Sequence, residues 1–133
     1  QKLSPELSTE TVGKFGNPNA ERNLINLERA MYKLCYFVPE SHLGPTKQAL
    51  FDAGAGKIGD YDQCAWQCKG QGQFRPLAGS DPFLGSQGEL ETVSEYKVEL
   101  VCYDAVIGKA VAALKQAHPY EEPAYEVFRL EDF

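Results

Sequence analysis

The sequence lacks the long apolar runs and the excess of positive charge that mark several classes of protein. No run approaches the roughly 20 apolar residues that span a bilayer, and no basic-then-apolar leader opens the chain. Its 13 lysines and arginines are outnumbered by 19 aspartates and glutamates, which leaves a formal charge of −6. Nucleic acids and anionic membranes are themselves negative and are therefore disfavoured as partners. We predict a cytoplasmic protein that binds neither of them.

Histidine is also scarce, and the sequence around it shows no catalytic constellation. His42 and His118 are the only two histidines, and nothing near either of them suggests a nucleophile. The run 54–59 has the letters of a dinucleotide-binding glycine motif, but it follows a predicted helix and leads into a strand. A dinucleotide-binding motif instead follows a strand and opens a helix, so that the phosphate meets the N-terminus of that helix. The sequence therefore favours a binding or regulatory module over an enzyme, with a small enzyme that has its site at a subunit interface as the weaker alternative.

The four cysteines show no familiar metal or disulfide spacing. Cys35 and Cys102 stand in apolar, strand-like runs, where a free thiol behaves as a small hydrophobe. Cys64 and Cys68 are four residues apart, which on an extended strand is about 13 Å and too far for one ion. We predict reduced structural thiols, with a metal or redox role as the alternative.

The chain divides at Met31, its only methionine. Residues 1–30 balance acidic against basic side chains and hold few large apolar ones, with one helical pattern over 17–30. We predict that 1–30 is an N-terminal extension, either cloning-derived or a processed leader, ahead of a natural start at Met31. The alternative is a genuine arm that packs on a neighbouring subunit.

Residues 31–133 carry the alternating strand and helix patterns of one small domain. The order is strand, helix, strand, strand, helix, strand, with an extra hairpin between the inner strands; the predicted bounds are 32–38, 40–53, 61–69 with 73–75, 89–93 with 96–102, a helix from 104, and 125–130. This order predicts an α+β fold, the ferredoxin-like split βαβ sandwich. Both helices cover one sheet face, and the partly apolar second face predicts burial against another subunit.

The most distinctive segment is His118-Pro-Tyr-Glu-Glu-Pro123. His118, Glu121 and Glu122 have the chemistry to bind a divalent metal ion. Consecutive glutamates on an extended segment point in opposite directions, so further ligands would have to come from another strand or subunit. We predict chiefly a rigid helix-to-strand connector, and we keep a metal site or acid–base chemistry as alternatives.

An ordered set of short motifs supports a family resemblance. The set comprises Val38-Pro-Glu40, Ala53-Gly-Ala-Gly56, Ile58-Gly-Asp-Tyr61, Cys64, Gly70-Gln-Gly72, Phe74-Arg-Pro76, Gly79, Pro82, Gly85 and His118-Pro-Tyr-Glu-Glu-Pro123. Together they resemble the short YqfO-type proteins and the domain inserted into many bacterial members of the NGG-one-interacting-factor-three family. The resemblance covers 31–133 and none of 1–30.

The resemblance implies a fold like that of PII signalling proteins and CutA. It also implies a homo-oligomer, with a trimer favoured over a dimer, and a small ligand, a protein partner or a divalent metal ion bound to it. The family's dinuclear metal site lies in lobes that flank the insert and are not part of this sequence, so we do not expect hydrolase-like activity. Further ligand candidates within the motifs are Cys64, Tyr120 and Arg75, the last being the only cation of loop 73–88.

Overall fold

The computed structural model describes residues 30–133; residues 1–29, with the extension and the helical pattern predicted there, lie outside the described part. The elements are β1 (Met31–Pro39), a short 3-10 turn (Glu40–His42), α1 (Leu43–Asp52), β2 (Trp66–Phe74), β3 (Glu91–Tyr103), α2 (Asp104–Ala117) and β4 (Tyr125–Leu130). The four strands form one sheet in the order β2-β3-β1-β4, and every neighbouring pair is antiparallel. The predicted ferredoxin-like α+β fold is confirmed.

The core lies between one face of the sheet and the two helices. Alternation along the two central strands produces it, because successive side chains of a strand point to opposite faces. Their inward side chains are buried and lie in register; on β1 they are Leu34, Tyr36 and Val38, and on β3 they are Val98, Leu100 and Cys102. Leu50 from α1 and Ala110 and Leu114 from α2 complete the cluster.

Helix α1 is bounded by residues that suit its two ends. Pro45 lies in the first turn, where the N–H that proline lacks would have no helical partner. After Asp52 the chain turns away at Gly54, whose φ of +104° is in the left-handed region that glycine tolerates. The predicted helix end near Ala53 and Gly54 is therefore confirmed.

A buried pair of hydroxyls joins β1 to α1. The Tyr36 hydroxyl donates to Thr46 Oγ1 at 3.0 Å, and the Thr46 hydroxyl donates to the His42 carbonyl at 2.7 Å. Burial raises the pKa of Tyr36 to about 12. Because both hydroxyls have partners, the core accepts them without the cost of an unpaired polar group.

The inner strands differ from the prediction in one respect. The sequence predicts separate strands at 89–93 and 96–102, whereas β3 runs without a break from Glu91 to Tyr103. All of β2 pairs with β3, from Trp66 opposite Glu99 to Phe74 opposite Glu91. Since β1 reaches only as far as Glu95, the predicted extra hairpin takes the form of a two-stranded arm that continues past the sheet. The second strand also begins later than predicted, at Trp66, and Tyr61 forms only an isolated bridge with Ile58.

The second sheet face carries no helix among the described residues. Trp66, Phe128 and Leu130 expose 56%, 51% and 36% of their surface, and Lys33 lies 3.5 Å from Glu99 on the same face. We call this mixed surface the open face. Within residues 30–133, no helix has the length and apolar character needed to cross a membrane.

Candidate functional site

The segment that follows α2 is anchored by His118. Its own N–H closes the last helical turn on the Leu114 carbonyl, and the proline that follows prevents the helix from continuing. The imidazole is buried, with 6% of the residue exposed. Nε2 lies 2.6 Å from the Phe37 carbonyl of β1, and Nδ1 lies 3.1 Å from the Tyr120 backbone nitrogen.

These two contacts determine the protonation of the ring. A carbonyl can only accept and a backbone N–H can only donate, so Nε2 carries the proton and Nδ1 accepts. Burial lowers the pKa of His118, although its hydrogen bond to Phe37 acts in the opposite direction. His118 is therefore a neutral histidine that uses both ring nitrogens to hold the segment against β1.

The structure does not bring the three predicted metal ligands together. Glu121 and Glu122 are exposed, and Glu121 Oε1 accepts from the Asp81 backbone N–H at 3.1 Å. Across residues 30–133, no three side chains of histidine, cysteine, aspartate or glutamate are grouped so that they could hold a metal ion. The metal site stays a prediction, and His118 would have to give up one of its hydrogen bonds to take part.

A cavity of about 260 Å³ lies beside the same segment. The segment forms one wall, the β2–β3 arm forms a second, and the loop between these strands closes the third. The cavity is lined by Phe37, Gln73, Phe74, Pro76, Ser80, Pro82, Phe83, Leu84, Glu95, Tyr120, Glu121, Glu122 and Ala124. We call it the Tyr120 pocket.

The loop over the pocket is held by hydrogen bonds to its backbone. Gly88 N–H donates to the Pro76 carbonyl at 2.7 Å, which closes the base of the loop. The Gln87 side chain donates to the Ser80 carbonyl at 2.9 Å. The contact between Asp81 and Glu121 then ties the loop to the segment after α2. These bonds give the pocket a defined wall made from residues distant in sequence.

Three aromatic rings line the pocket, and Tyr120 is close to each of the other two. The ring centre of Tyr120 lies 5.9 Å from that of Phe74 and 6.3 Å from that of Phe83. Its hydroxyl oxygen is buried and has no hydrogen-bond partner in the part of the chain that the structure describes. Burial raises the pKa of Tyr120, and the negative charges of Glu95 and Glu91 raise it further.

Glu95 brings a carboxylate into the pocket from β3, at the point where the β2–β3 arm leaves the sheet. It is half-buried, and burial raises its pKa. No lysine, arginine or histidine within residues 30–133 forms an ion pair with it. Its carboxylate lies over Gly72 of the neighbouring strand, where a Cβ atom would collide with it. Gly72 is thus a strand glycine that permits close approach of a side chain.

The sequence predicts part of this pocket and not the whole of it. Tyr120, Glu121 and Glu122 were all named as candidates, and all three line it. Glu95 is not among the predicted site residues. Gly72, which lies between the predicted strand segments 61–69 and 73–75, is a signal for it, because a glycine there can mark close approach to the backbone. Arg75 is exposed and does not line the pocket. Cys64 lines a separate shallow depression with Trp66 and Lys33, and its thiol is unbridged, like those of Cys35, Cys68 and Cys102.

Comparison with known sequences identifies relatives of this domain. No protein-family model matches the chain. A curated protein of Halalkalibacterium halodurans named GTP cyclohydrolase 1 type 2 homolog is 46% identical over 101 residues, covering 76% of this chain and 27% of its own. The Bacillus subtilis protein of the same name is 42% identical over 99 residues, covering 74% and 26%. The chain is a homologue of a segment of the NGG-one-interacting-factor-three family, of YqfO type.

Solved structures agree with this family and with the fold. A Bacillus cereus protein described as related to NIF3 is 39% identical, with a TM-score of 0.67 over 77% of this chain and 26% of its own. CutA of Xylella fastidiosa has a TM-score of 0.57 at 17% identity, over 77% and 86% of the two chains. Bacillus subtilis GlnK has a TM-score of 0.52 at 14% identity, over 76% and 85%. CutA and GlnK thus share the fold. The chain spans about a quarter of the length of the curated family members that it matches.

Proposed function

We propose that this chain is a non-enzymatic, homo-oligomeric binding module whose small-molecule ligand occupies the Tyr120 pocket. The observation that carries the proposal is the cavity itself. It is already formed, and its walls come from β1, the β2–β3 arm, the connecting loop and the segment after α2. A concave, mostly apolar cavity with a few inward polar groups is the common form of a ligand site.

The role of His118 favours binding over catalysis. A general base must have a free lone pair within reach of its substrate. The Nδ1 lone pair of His118 already accepts from Tyr120, and the Nε2 proton is held by Phe37. The histidine therefore shapes the pocket by orienting Tyr120.

Assembly is proposed on the basis of the open face. Trp66 and Phe128 expose large apolar side chains there, and such surfaces commonly mark contacts with another protein. Burying them against copies of the same chain would remove apolar area from water. The family resemblance favours a trimer over a dimer, and a cytoplasmic location is proposed with it.

The longer relatives carry a name that refers to GTP cyclohydrolase 1. We propose that the segment shared with this chain contributes ligand binding or assembly to those proteins, and not the chemistry that their name suggests. A purified chain that converted GTP to product would contradict this.

Two measurements test the proposal. Multi-angle light scattering of the full chain at high micromolar concentration should give a mass above that of one chain. A mass equal to that of one chain would refute the oligomer.

To find the ligand, cationic, neutral and anionic compounds are screened for thermal stabilisation of the wild-type chain and of Ala124→Phe, whose larger side chain fills the pocket. Ala112→Phe on the exposed surface of α2 is the matched control. A ligand of the pocket stabilises wild type and the Ala112 variant but not the Ala124 variant, and the absence of any such compound would refute the site.

A further inference from the structure

The charge of the Tyr120 pocket is of one sign. Its lining includes Glu95, Glu121 and Glu122 and no lysine, arginine or histidine. Glu95 is the most constrained of the three, because it is half-buried against Gly72 and has no ion-pair partner among the residues described. A desolvated carboxylate without a partner is unfavourable, and a cation beside it would offset that cost.

The walls of the pocket are aromatic. Phe74 and Phe83 both neighbour Tyr120, with ring centres 5.9 Å and 6.3 Å away from that of the tyrosine. The faces of aromatic rings attract cations, and sets of such rings recognise organic ammonium groups. Phe74 and Phe83 offer no ligand atoms for a bare metal ion, and the carboxylates disfavour a phosphate or another anion.

One buried polar atom in the pocket has no hydrogen-bond partner among the described residues. The Tyr120 hydroxyl oxygen is buried without a partner in residues 30–133, whereas buried polar atoms normally have one. An ammonium N–H is a donor that this oxygen can accept. The hydroxyl is therefore available to an ammonium group that the carboxylates and the rings attract.

We infer that the Tyr120 pocket binds a small organic ammonium ion, with its charged nitrogen near Glu95 and the Tyr120 hydroxyl and its apolar part against Phe74 and Phe83. This inference rests on the proposed function and specifies the class of its ligand. The cavity of about 260 Å³ lies just below the roughly 300–1,000 Å³ of sites for drug-sized ligands. A compact amine fits this size better than a large cofactor does.

The charge requirement is tested with three probes that share one four-carbon chain: n-butylammonium, butan-1-ol and butanoate. Each is titrated into the full chain, and binding is followed by calorimetry and by NMR shifts of the pocket residues. We expect n-butylammonium to bind at least about tenfold more tightly than butan-1-ol, which corresponds to about 1.4 kcal/mol. Butanoate should bind more weakly than the alcohol. Equal binding of the ammonium and the alcohol would overturn the inference.

Two conservative variants identify the residues responsible. Glu95→Gln keeps the shape of the side chain and removes its charge, so the preference for the ammonium over the alcohol should fall to less than about threefold. Tyr120→Phe removes only the hydroxyl and should weaken n-butylammonium more than butan-1-ol. Glu131→Gln removes the same charge from an exposed position outside the pocket, and its preference should equal that of wild type.

The outcomes separate the inference from the proposed function. A preference for n-butylammonium that persists in both Glu95→Gln and Tyr120→Phe would overturn the assignment of these groups. If Glu95→Gln does not fold, the Tyr120→Phe titration alone decides. A preference for n-butylammonium over butan-1-ol that equals that of wild type would then overturn the inference. If neutral or anionic compounds stabilise wild type but not Ala124→Phe, while n-butylammonium does not bind, the inference fails and the binding module stands. If nothing binds in an Ala124-dependent way, both fail.

Discussion

Replacement of His118 tests how the segment after α2 is held. His118→Ala removes the hydrogen bonds to the Phe37 carbonyl and from the Tyr120 N–H, and it also leaves a cavity in place of a buried ring. A hydrogen bond contributes about 0.5–1.5 kcal/mol net, and a buried group left unpaired costs about 1–3 kcal/mol. Water can reach part of this site, because Tyr120 and Pro119 are only half-buried. We therefore expect a loss of about 2–4 kcal/mol in the free energy of unfolding.

Two further variants divide that loss between the two bonds. Asparagine at 118 can still accept from a backbone N–H two residues on, but it is too short to replace Nε2. The side-chain amide of His118→Gln can reach toward the Phe37 carbonyl, but this variant lacks an acceptor in the place of Nδ1 for the Tyr120 N–H. Each should therefore retain part of the stability that alanine loses.

The assay is urea unfolding followed by circular dichroism. All variants are compared at one protein concentration, because the proposed assembly would make apparent stability depend on concentration. The Tyr120 amide resonance reports the local bond independently. If His118→Ala unfolds within about 0.5 kcal/mol of wild type, the size of a neutral surface substitution, the anchoring role of His118 is refuted.

Three other predictions concern pH, the buried hydroxyl pair and metals. Because burial lowers the pKa of His118 below its usual 6.5, the unfolded chain takes up this proton at higher pH than the native one. The free energy of unfolding should therefore fall as pH drops below about 6.5 and gain nothing from this group above it. His118→Asn should lack this part of the pH dependence. Profiles of wild type and His118→Asn that change equally with pH would contradict the prediction. Thr46→Val leaves the Tyr36 hydroxyl unpaired and should destabilise by about 1–3 kcal/mol. Tyr36→Phe should cost about 1 kcal/mol, and denaturant unfolding of the double variant should show a loss smaller than the sum; strict additivity would argue against the bond. In calorimetry with copper, zinc and nickel, wild type and His118→Ala should give identical isotherms, since neither ring nitrogen is free; a metal bound only by wild type would restore the histidine as a ligand.

The pattern of neighbouring residues was sufficient to predict an element wherever the element's own residues carry the signal. The aromatic and branched run of β1, the alternation from Tyr96 to Cys102 and the glycine at 54 each depend on neighbours in the chain. Side-chain period and backbone preference are properties of such short stretches. The final strand, Tyr125–Leu130, has the predicted bounds for the same reason.

The extent of the β2–β3 arm depends on strand pairing, which the pattern of neighbouring residues does not show. Ser94 and Glu95 interrupt an apolar pattern and predict a break between strands. In the structure the ladder continues through them, because Gln71 and Gly70 of β2 lie opposite and provide the partners. A strand end is decided by where its neighbour stops, which depends on residues more than twenty positions away.

The sequence by itself determined the strand and helix order, the acidic charge and the special character of the segment from His118 to Pro123. Only the tertiary structure decided what that segment does. It showed both His118 nitrogens bound to backbone, and it placed Tyr120 beside Phe83 and in the same pocket as Glu95. The physical reason is that backbone preference acts between chain neighbours, whereas a pocket is made where the packed sheet brings distant side chains together.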